Sequence, residues 1–328
     1  TELAEVYLSN PQYKLMSHSN IARQIFNDYP EITISLKTAQ NAMSEIRKSI
    51  IVTRQKRNHV SNNFEFNTDE MDCDINIPQS FYQDNPVFVI PDAVSKLLVV
   101  GDLHIPFHDV KAIKIAFRYA KDNGCDGVLL NGDTMDFHFA SRFMRDPKYR
   151  DAEKEMSIGR TFLESLRKFM PDSRIYYKIG NHDQRMSLRI IENTPEYYSL
   201  DELKIENLLK LGDFNIEKID PLAIAEFGKL NLLHGHEFHR YGIHVTYNNL
   251  LKSMDNIMFC HYHKTMEYIH TMLKGDVLGS WSVGCLCGLR PEYLPLNNWN
   301  LGFAIVTRRG HNGSFEVSNK KIINGRIL

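Results

Sequence analysis

Apolar residues along this chain change rhythm twice. Up to about residue 60 they recur at helical spacing. In SHSNIARQIFNDYP the stripe is Ile21, Ile25 and Phe26, with Ser17 or Ser19 as the N-cap and Pro30 as the stop. A second helical stretch, SLKTAQNAMSEIRKSI, turns Ala39, Ala42, Met43 and Ile46 inward. From residue 61 to 94 the periodicity fades. Acidic NTDEMDCDIN gives way to proline-containing IPQSFYQDNPVFVIP, which reads as a linker whose last part lies along the next domain. From residue 95 to 328 short, wholly apolar runs alternate with amphipathic ones.

In that last region KLLVV, DGVLLNGD and SRIYYKIG have the character of buried strands. Helical spacing follows each, in DVKAIKIAFRYAKDN, in DAEKEMSIGRTFLESLRKFM, and from Asp183 to about Leu211. Such alternation predicts an α/β domain with a largely parallel sheet. LNLLHGHE, the helix-like HVTYNNLLKSM and NIMFCHYH come next. Hairpin-like strands through EYIHTMLKGDVLGSWSVGCL to FAIVTRRG then predict a second, more antiparallel sheet.

Composition changes this picture little. The 328 residues are 43% hydrophobic and 24% charged with a net charge of −1, so any electrostatic argument must be local. No run approaches the roughly 18 apolar residues of a membrane span. The amino end, TELAEVYLSN, has no secretory pattern, although it starts at Thr1 rather than Met. Five cysteines without a C-x-x-C pair fit reduced thiols, and the expected location is cytoplasmic. Histidine is the informative excess: there are 14, many beside Gly, Asp or Asn at the ends of apolar runs.

Five strand-like runs end in oxygen or imidazole donors. They exit into GDLH (Asp102, His104), GDTMD (Asp133, Asp136), GNHD (Asn181, His182, Asp183), HGHE (His236) and CHYH (His261, His263). Each fragment alone is weak, since a D-x-H or a lone histidine is common in bland settings. Five in succession at strand exits are a different matter. Side chains at the carboxyl ends of strands in an open α/β sheet converge on one crevice.

This series resembles the calcineurin-like metallophosphoesterase superfamily, over roughly Lys96 to Arg308. The resemblance implies two packed mixed β-sheets flanked by helices, an α/β or, in some schemes, α+β architecture. It also implies a dinuclear metal site. Asp102, His104, Asp133 and His263 would hold one ion. Asp133, Asn181, His236 and His261 would hold the other, with Asp133 bridging. Ions ~3.5–4 Å apart clamp a phosphate and activate a shared water, or hydroxide, for attack. A mixed nitrogen and oxygen set without thiolate suits Mn2+ first, by analogy, with Fe or Zn2+ as alternatives. The resemblance makes His182 the proton donor to the leaving oxygen, oriented by Asp136. Imidazole, ordinarily titrating near ~6.5, suits that work. Asp183 is read as holding its loop.

The fifth block departs from the family pattern: Cys260 stands where glycine is usual, and is read as a small buried thiol. His108, His138 and His239 lie near the blocks and are candidates to line the substrate cleft, and Arg142 and Arg185 to grip phosphate oxygens. His234 reads equally as core. Cys285 and Cys287, with no histidine at zinc spacing, read as structural.

The amino-terminal helices resemble a helix-turn-helix. Lys37, Thr38, Gln40, Asn41, Arg47, Lys48, Arg54, Lys56 and Arg57 are its candidate DNA contacts. The function expected is therefore a nuclease hydrolysing phosphodiester bonds in DNA. The alternative is a phosphatase or a small-molecule or cyclic-nucleotide phosphodiesterase, with the amino-terminal helices serving homo-oligomerisation. The arginine and glycine after the second block that mark the Ser/Thr protein phosphatases are missing, since Asp136 is followed by Phe137 and His138. No membrane partner is expected.

Overall fold

A computed structural model of the chain describes residues 18–30, 37–38, 41, 78–143, 146–238, 242–310 and 312–328. Two units emerge, Thr1–Phe81 and Tyr82–Leu328. In the first, helix α1 (His18–Asp28) buries Ile21, Ala22 and Ile25, the predicted stripe with Ala22 in place of Phe26. Lys37, Thr38 and Asn41 are helical and exposed. The proposed contacts Gln40, Arg47, Lys48, Arg54, Lys56 and Arg57 lie outside the described residues, as does His239. Among the described residues no helix is long and apolar enough to cross a membrane.

The second unit opens with β1 (Val87–Val89), inside the stretch read as linker: it pairs in parallel with a strand more than a hundred residues later. The predicted alternation follows, with β2 (Lys96–Val100), α2 (Val110–Asp122), β3 (Gly127–Asn131), α3 (Ala152–Phe169) and β4 (Arg174–Lys178). Asp109 and Asp151 start the two helices by accepting from the backbone N–H of Ala112 and Lys154. The helical region predicted after Asp183 resolves into α4 (Arg185–Asn193), the one-turn α5 (Ile205–Leu208) and several 3-10 turns. Strands β5 (Ile216–Ile219), β6 (Ile224–Phe227) and β7 (Leu230–Leu232) precede α6 (Val245–Ser253). Strands β8 (Ile257–Phe259), β9 (Met266–Thr271), β10 (Val277–Ser282), β11 (Leu301–Arg309), β12 (Ser314–Ile323) and β13 (Arg326–Ile327) complete it.

These strands form two sheets, β13-β12-β11-β2-β3-β4-β5 and β1-β6-β7-β8-β10-β9. The first is parallel from β2 to β5, but the carboxyl-terminal hairpin joins it antiparallel to β2 rather than extending the second sheet. The second sheet is mixed, not mainly antiparallel: β7, β8 and β10 run parallel.

Strand alternation explains how the layers stack. Leu97 and Val99 of β2 face the second sheet and pack with Leu129, Tyr176, Phe227, Leu232 and Met258. Leu98 and Val100 face the other way, onto Ala112 and Ala116 of α2 and Leu163 and Leu166 of α3. Phe259 and Ile257 meet Val245 of α6 on the far side of the second sheet. The layers are therefore helix, sheet, sheet, helix.

Two features of this packing are testable. Cys260 is fully buried between the sheets, and a Cβ on Gly101 would lie 2.6 Å from its sulfur. Gly101→Ala should therefore cost about 1–3 kcal/mol in urea denaturation, and Cys260→Gly should recover part of that in the double variant. Strictly additive costs would show that the two positions do not press on each other. Glu155, 2% exposed, accepts the backbone N–H of His138 at 3.1 Å and so anchors the turn after β3. Burial, reinforced by the Asp136 charge, pushes its carboxyl from 4.5 up to about 8. A raised acid favours the fold below its unfolded value and loses that contribution as pH rises through the folded one. Melting temperature should thus fall between pH 4.5 and 8 more steeply in the wild type than in Glu155→Gln; parallel profiles would refute this.

Candidate metal centre

Strands β2, β3, β4, β7 and β8 end at one edge of the sandwich. Asn131, the last residue of β3, ties the two sheets there: its amide donates to the Leu233 carbonyl at 2.7 Å. The chain turns sharply after these strands. Asp102, His104, Asp133, His261 and His263 all take left-handed backbone, with φ between 50° and 69°. Asp and His tolerate that region better than branched residues do. At ~1–3 kcal/mol each, such conformations persist only where the surroundings over-determine them.

The first group is the one the sequence pointed to. His104 Nδ1 lies 3.0 Å from an Asp136 oxygen and donates to it, which turns Nε2 toward His263 Nε2, 3.2 Å away. His263 Nε2 in turn lies 3.4 Å from Asp102 Oδ1, and Asp133 Oδ2 stands 3.9 Å from His104 Nε2. Asp102 Oδ2 accepts the His261 backbone N–H at 2.8 Å, whereas buried Asp102 Oδ1 has no hydrogen bond. Two imidazole nitrogens and an orphaned carboxylate oxygen facing one point fit a cation.

The second group corrects one expected ligand. His234, not His236, meets Asp133: its Nε2 is 3.2 Å from Asp133 Oδ2 and 3.1 Å from Asn181 Oδ1. Its Nδ1 donates to the Asn131 carbonyl at 2.9 Å. Three acceptors thus point at one another, and either a proton on Nε2 or a cation must lie between them. His261 completes the set with Asp133 and His234. His236 falls outside it, its Nδ1 3.5 Å from Glu237. Gly132 shows why His234 can come so close, since a Cβ there would sit 2.3 Å from His234 Nδ1.

Electrostatics follow from this crowding. Burial alone would raise the Asp133 carboxyl, but the imidazoles of His234, His182 and His104 outweigh it and hold the group well below the carboxylate range. Burial likewise opposes His234, yet Asp133 and Asp102 raise it to about 9. Burial and the His234 charge push His261 down to about 4.

His182 borders both groups and itself forms a third cluster with His104 and Asp133, its Nε2 3.9 Å from Asp133 Oδ2. Its Nδ1 donates to Asp136 Oδ1 at 2.8 Å, and its Nε2 accepts from Arg185 Nη2 at 3.0 Å. Asp136 is a hub: His104, His138 and His182 all place Nδ1 within 3.2 Å of its oxygens, and Arg185 donates to it at 3.2 Å. Asp183 closes the β4 loop, accepting from Tyr177 OH, Met135 N and Gly180 N.

Other expected residues fall elsewhere. His138 is buried against Asp136, and His108 lines a separate cavity between α2 and α3; neither borders the metal-lined cleft. Arg142 and Arg185 line a neighbouring groove that reaches the centre at Asn181. Cys287, read as structural, places its sulfur 3.9 Å from His263 Nδ1 and so steadies that ring. Sequence reasoning missed the buried pair Lys178 and Glu237, 3.6 Å apart. Glu237 accepts from the backbone N–H of His234 and Gly235 and so fixes the turn that aims His234. A lysine inside the apolar run of β4 was the available signal.

The ligand correction has a direct consequence. His234→Ala should abolish Mn2+-induced thermal stabilisation, whereas His236→Ala should keep most of it. The reverse order would restore His236 as the ligand.

Comparison with known proteins agrees with this geometry. The profile of the family described as calcineurin-like phosphoesterase matches residues 95–281, more than half of the chain. The gene 54 protein of Mycobacterium phage L5 is 29% identical over 256 residues, covering 71% of this chain and 98% of the phage protein. That of Mycobacterium phage D29 is 28% identical over 250 residues, covering 71% and 95%. Among solved structures, Vps29 of Cryptosporidium parvum matches at 12% identity and a TM-score of 0.40, covering 72% of this chain and 95% of that one. A single mutant of Entamoeba histolytica Vps29 matches at 13% and 0.37, covering 71% and 96%. A profile match of that extent, falling on donors that surround one carboxylate, makes the assignment: this chain belongs to the calcineurin-like phosphoesterase family, whose members use divalent metals to hydrolyse phosphoester bonds.

Proposed function

We propose that the chain is a Mn2+-dependent phosphodiesterase acting on DNA, with the ions held by Asp102, His104, Asp133 and His263 and by Asp133, Asn181, His234 and His261. The observation that carries the phosphoester-hydrolysis reading is the His182 arrangement. The ester oxygen leaves as an alkoxide, which needs a proton, and Asp136 orients His182 at the centre. Bound ions supply Lewis acidity and lower the pKa of a shared water.

The chain's own residues do the rest. Asp136 accepts the His182 Nδ1–H, so Nε2 is the nitrogen that takes a second proton, giving up the hydrogen bond it accepts from Arg185 when it does. Arg185, 3.0 Å from that nitrogen, supplies positive charge where the leaving oxygen departs. In the reaction a water gives up one proton to solvent and its oxygen bonds to phosphorus, the bond to the ester oxygen breaks with its electron pair staying on that oxygen, and the His182 proton transfers there. Backbone N–H of His182 donates to Asp133 Oδ1 at 2.7 Å, holding that carboxylate in place. The DNA assignment draws its support from the basic residues of the amino-terminal sequence, which would contribute salt-sensitive phosphate contacts.

His182→Ala should reduce turnover of bis-p-nitrophenyl phosphate and of DNA by roughly 10²–10⁴-fold while Mn2+ still raises the melting temperature. A panel of plasmid, linear and single-stranded DNA, RNA, cyclic nucleotides and p-nitrophenyl phosphate tests the substrate class. Preference for the monoester would refute the diesterase reading, and cyclic-nucleotide hydrolysis without DNA cleavage would refute the nuclease.

A further inference from the structure

We infer that the cleft is built for an unpaired nucleic-acid strand, with bases stacking on Trp299 and Tyr293 on one side of the metal centre and phosphates meeting Arg142 and Arg189 on the other. This rests on the phosphodiesterase reading and adds the strand form of its substrate.

The cleft over the candidate metal ligands has a volume of ≈ 480 Å³ and is lined by Tyr262, Tyr293 and Trp299, with Lys264 also in its wall. That volume suits a nucleotide-sized ligand. Trp299 lies with its ring centroid 4.0 Å from that of His263, and Tyr293 stands 6.4 Å from Trp299 at 63°. Tyr293 is 54% exposed and Leu296, beside it, 90%. Large apolar groups left open to water at the lip of a polar metal cleft call for a ligand with an apolar face.

The segment carrying them is held in place. Asn297 donates to the carbonyls of Leu289 and Leu294 and accepts from Trp299 N, while Asn300 N donates to the His263 carbonyl at 2.9 Å. Pro291 and Pro295 restrict it further. A surface fixed before binding loses little entropy on binding.

Across the centre the groove of ≈ 430 Å³ is lined by Arg142, Arg185 and Arg189, and Asn181 borders both depressions. Arg185 is engaged with Asp136 and His182, but Arg142 and Arg189 are exposed. Glu192 also lines this groove, but three arginines against one carboxylate leave it locally basic in a chain of net charge −1, suited to a second phosphate. Aromatic faces and phosphate grips in line are what a single strand offers partners for. A duplex keeps its bases stacked inside and gives Trp299 nothing to meet.

The experiment compares cleavage of a single-stranded oligonucleotide, its duplex and bis-p-nitrophenyl phosphate by the full chain with Mn2+. The single strand should be cut faster than the duplex. In Trp299→Ala the ratio of oligonucleotide to small-diester turnover should fall about 5- to 150-fold, the range of one lost base stack, with Trp299→Phe recovering most of it. Arg142→Ala with Arg189→Ala should raise the oligonucleotide KM more than its kcat. An unchanged ratio with active oligonucleotide cleavage overturns this inference and leaves the nuclease standing. Hydrolysis of the small diester without any oligonucleotide cleavage overturns both.

Discussion

Asp133 puts a carboxylate where water does not reach, and the imidazoles of His104, His182 and His234 stand around it at 3.9, 3.9 and 3.2 Å. A buried charge of this kind is tolerable only with positive or polar partners on every side. Those partners come from the ends of three other strands in two different sheets. The sandwich must therefore bring its strand tips into register at one edge, and the Asn131 bond to Leu233 and the His234 bond to Asn131 stitch the sheets together there. The left-handed residues at the tips are the local consequence, because no extended exit would point the side chains back toward Asp133.

Around that carboxylate the two sides of the site have different tasks. Asp102 and His263 enclose one point with an unpartnered oxygen; His234 and Asn181 enclose another. Asp136 lies behind them, bonded to His104, His138, His182 and Arg185. It takes Nδ1–H from His104 and from His182, so one carboxylate sets the tautomer of a ligand and of the proposed acid together. Damage to Asp136 would thus not separate metal binding from proton transfer, whereas damage to His182 would.

Much of this was legible before any coordinates. Strand exits are marked by abrupt polar residues after apolar runs, and the order of five such exits pointed both to the fold and to most of the side chains that cluster around Asp133. What failed was reading within a turn. In HGHE both histidines were candidates, and sequence spacing could not say which faced inward. Gly235, with φ of 123°, reverses the chain between them, and Glu237 pins the turn through the N–H groups of His234 and Gly235. Sheet membership failed for a related reason. The hairpin after Arg290 has the alternation of a second sheet, but its partner is decided by the free edge of β2, which is a tertiary fact. Val87–Val89, short and exposed on alternate residues, has too little pattern to separate a strand from linker.

The same crowding bears on how substrate can approach. The candidate ligands are buried on the sheet side, and among the described residues the cleft opens between the 291–299 segment on one flank and the turn after β3 with α4 on the other. The first flank is aromatic and stiff; the second is arginine-bearing. Asn181 borders both, and it brings a neutral amide to the candidate centre from the β4 loop. A carboxylate at that junction would repel phosphates entering from either flank, at a separation where charges are weakly screened. An amide keeps an oxygen for the cation and removes the repulsion, which lets one residue serve the centre and the passage through it.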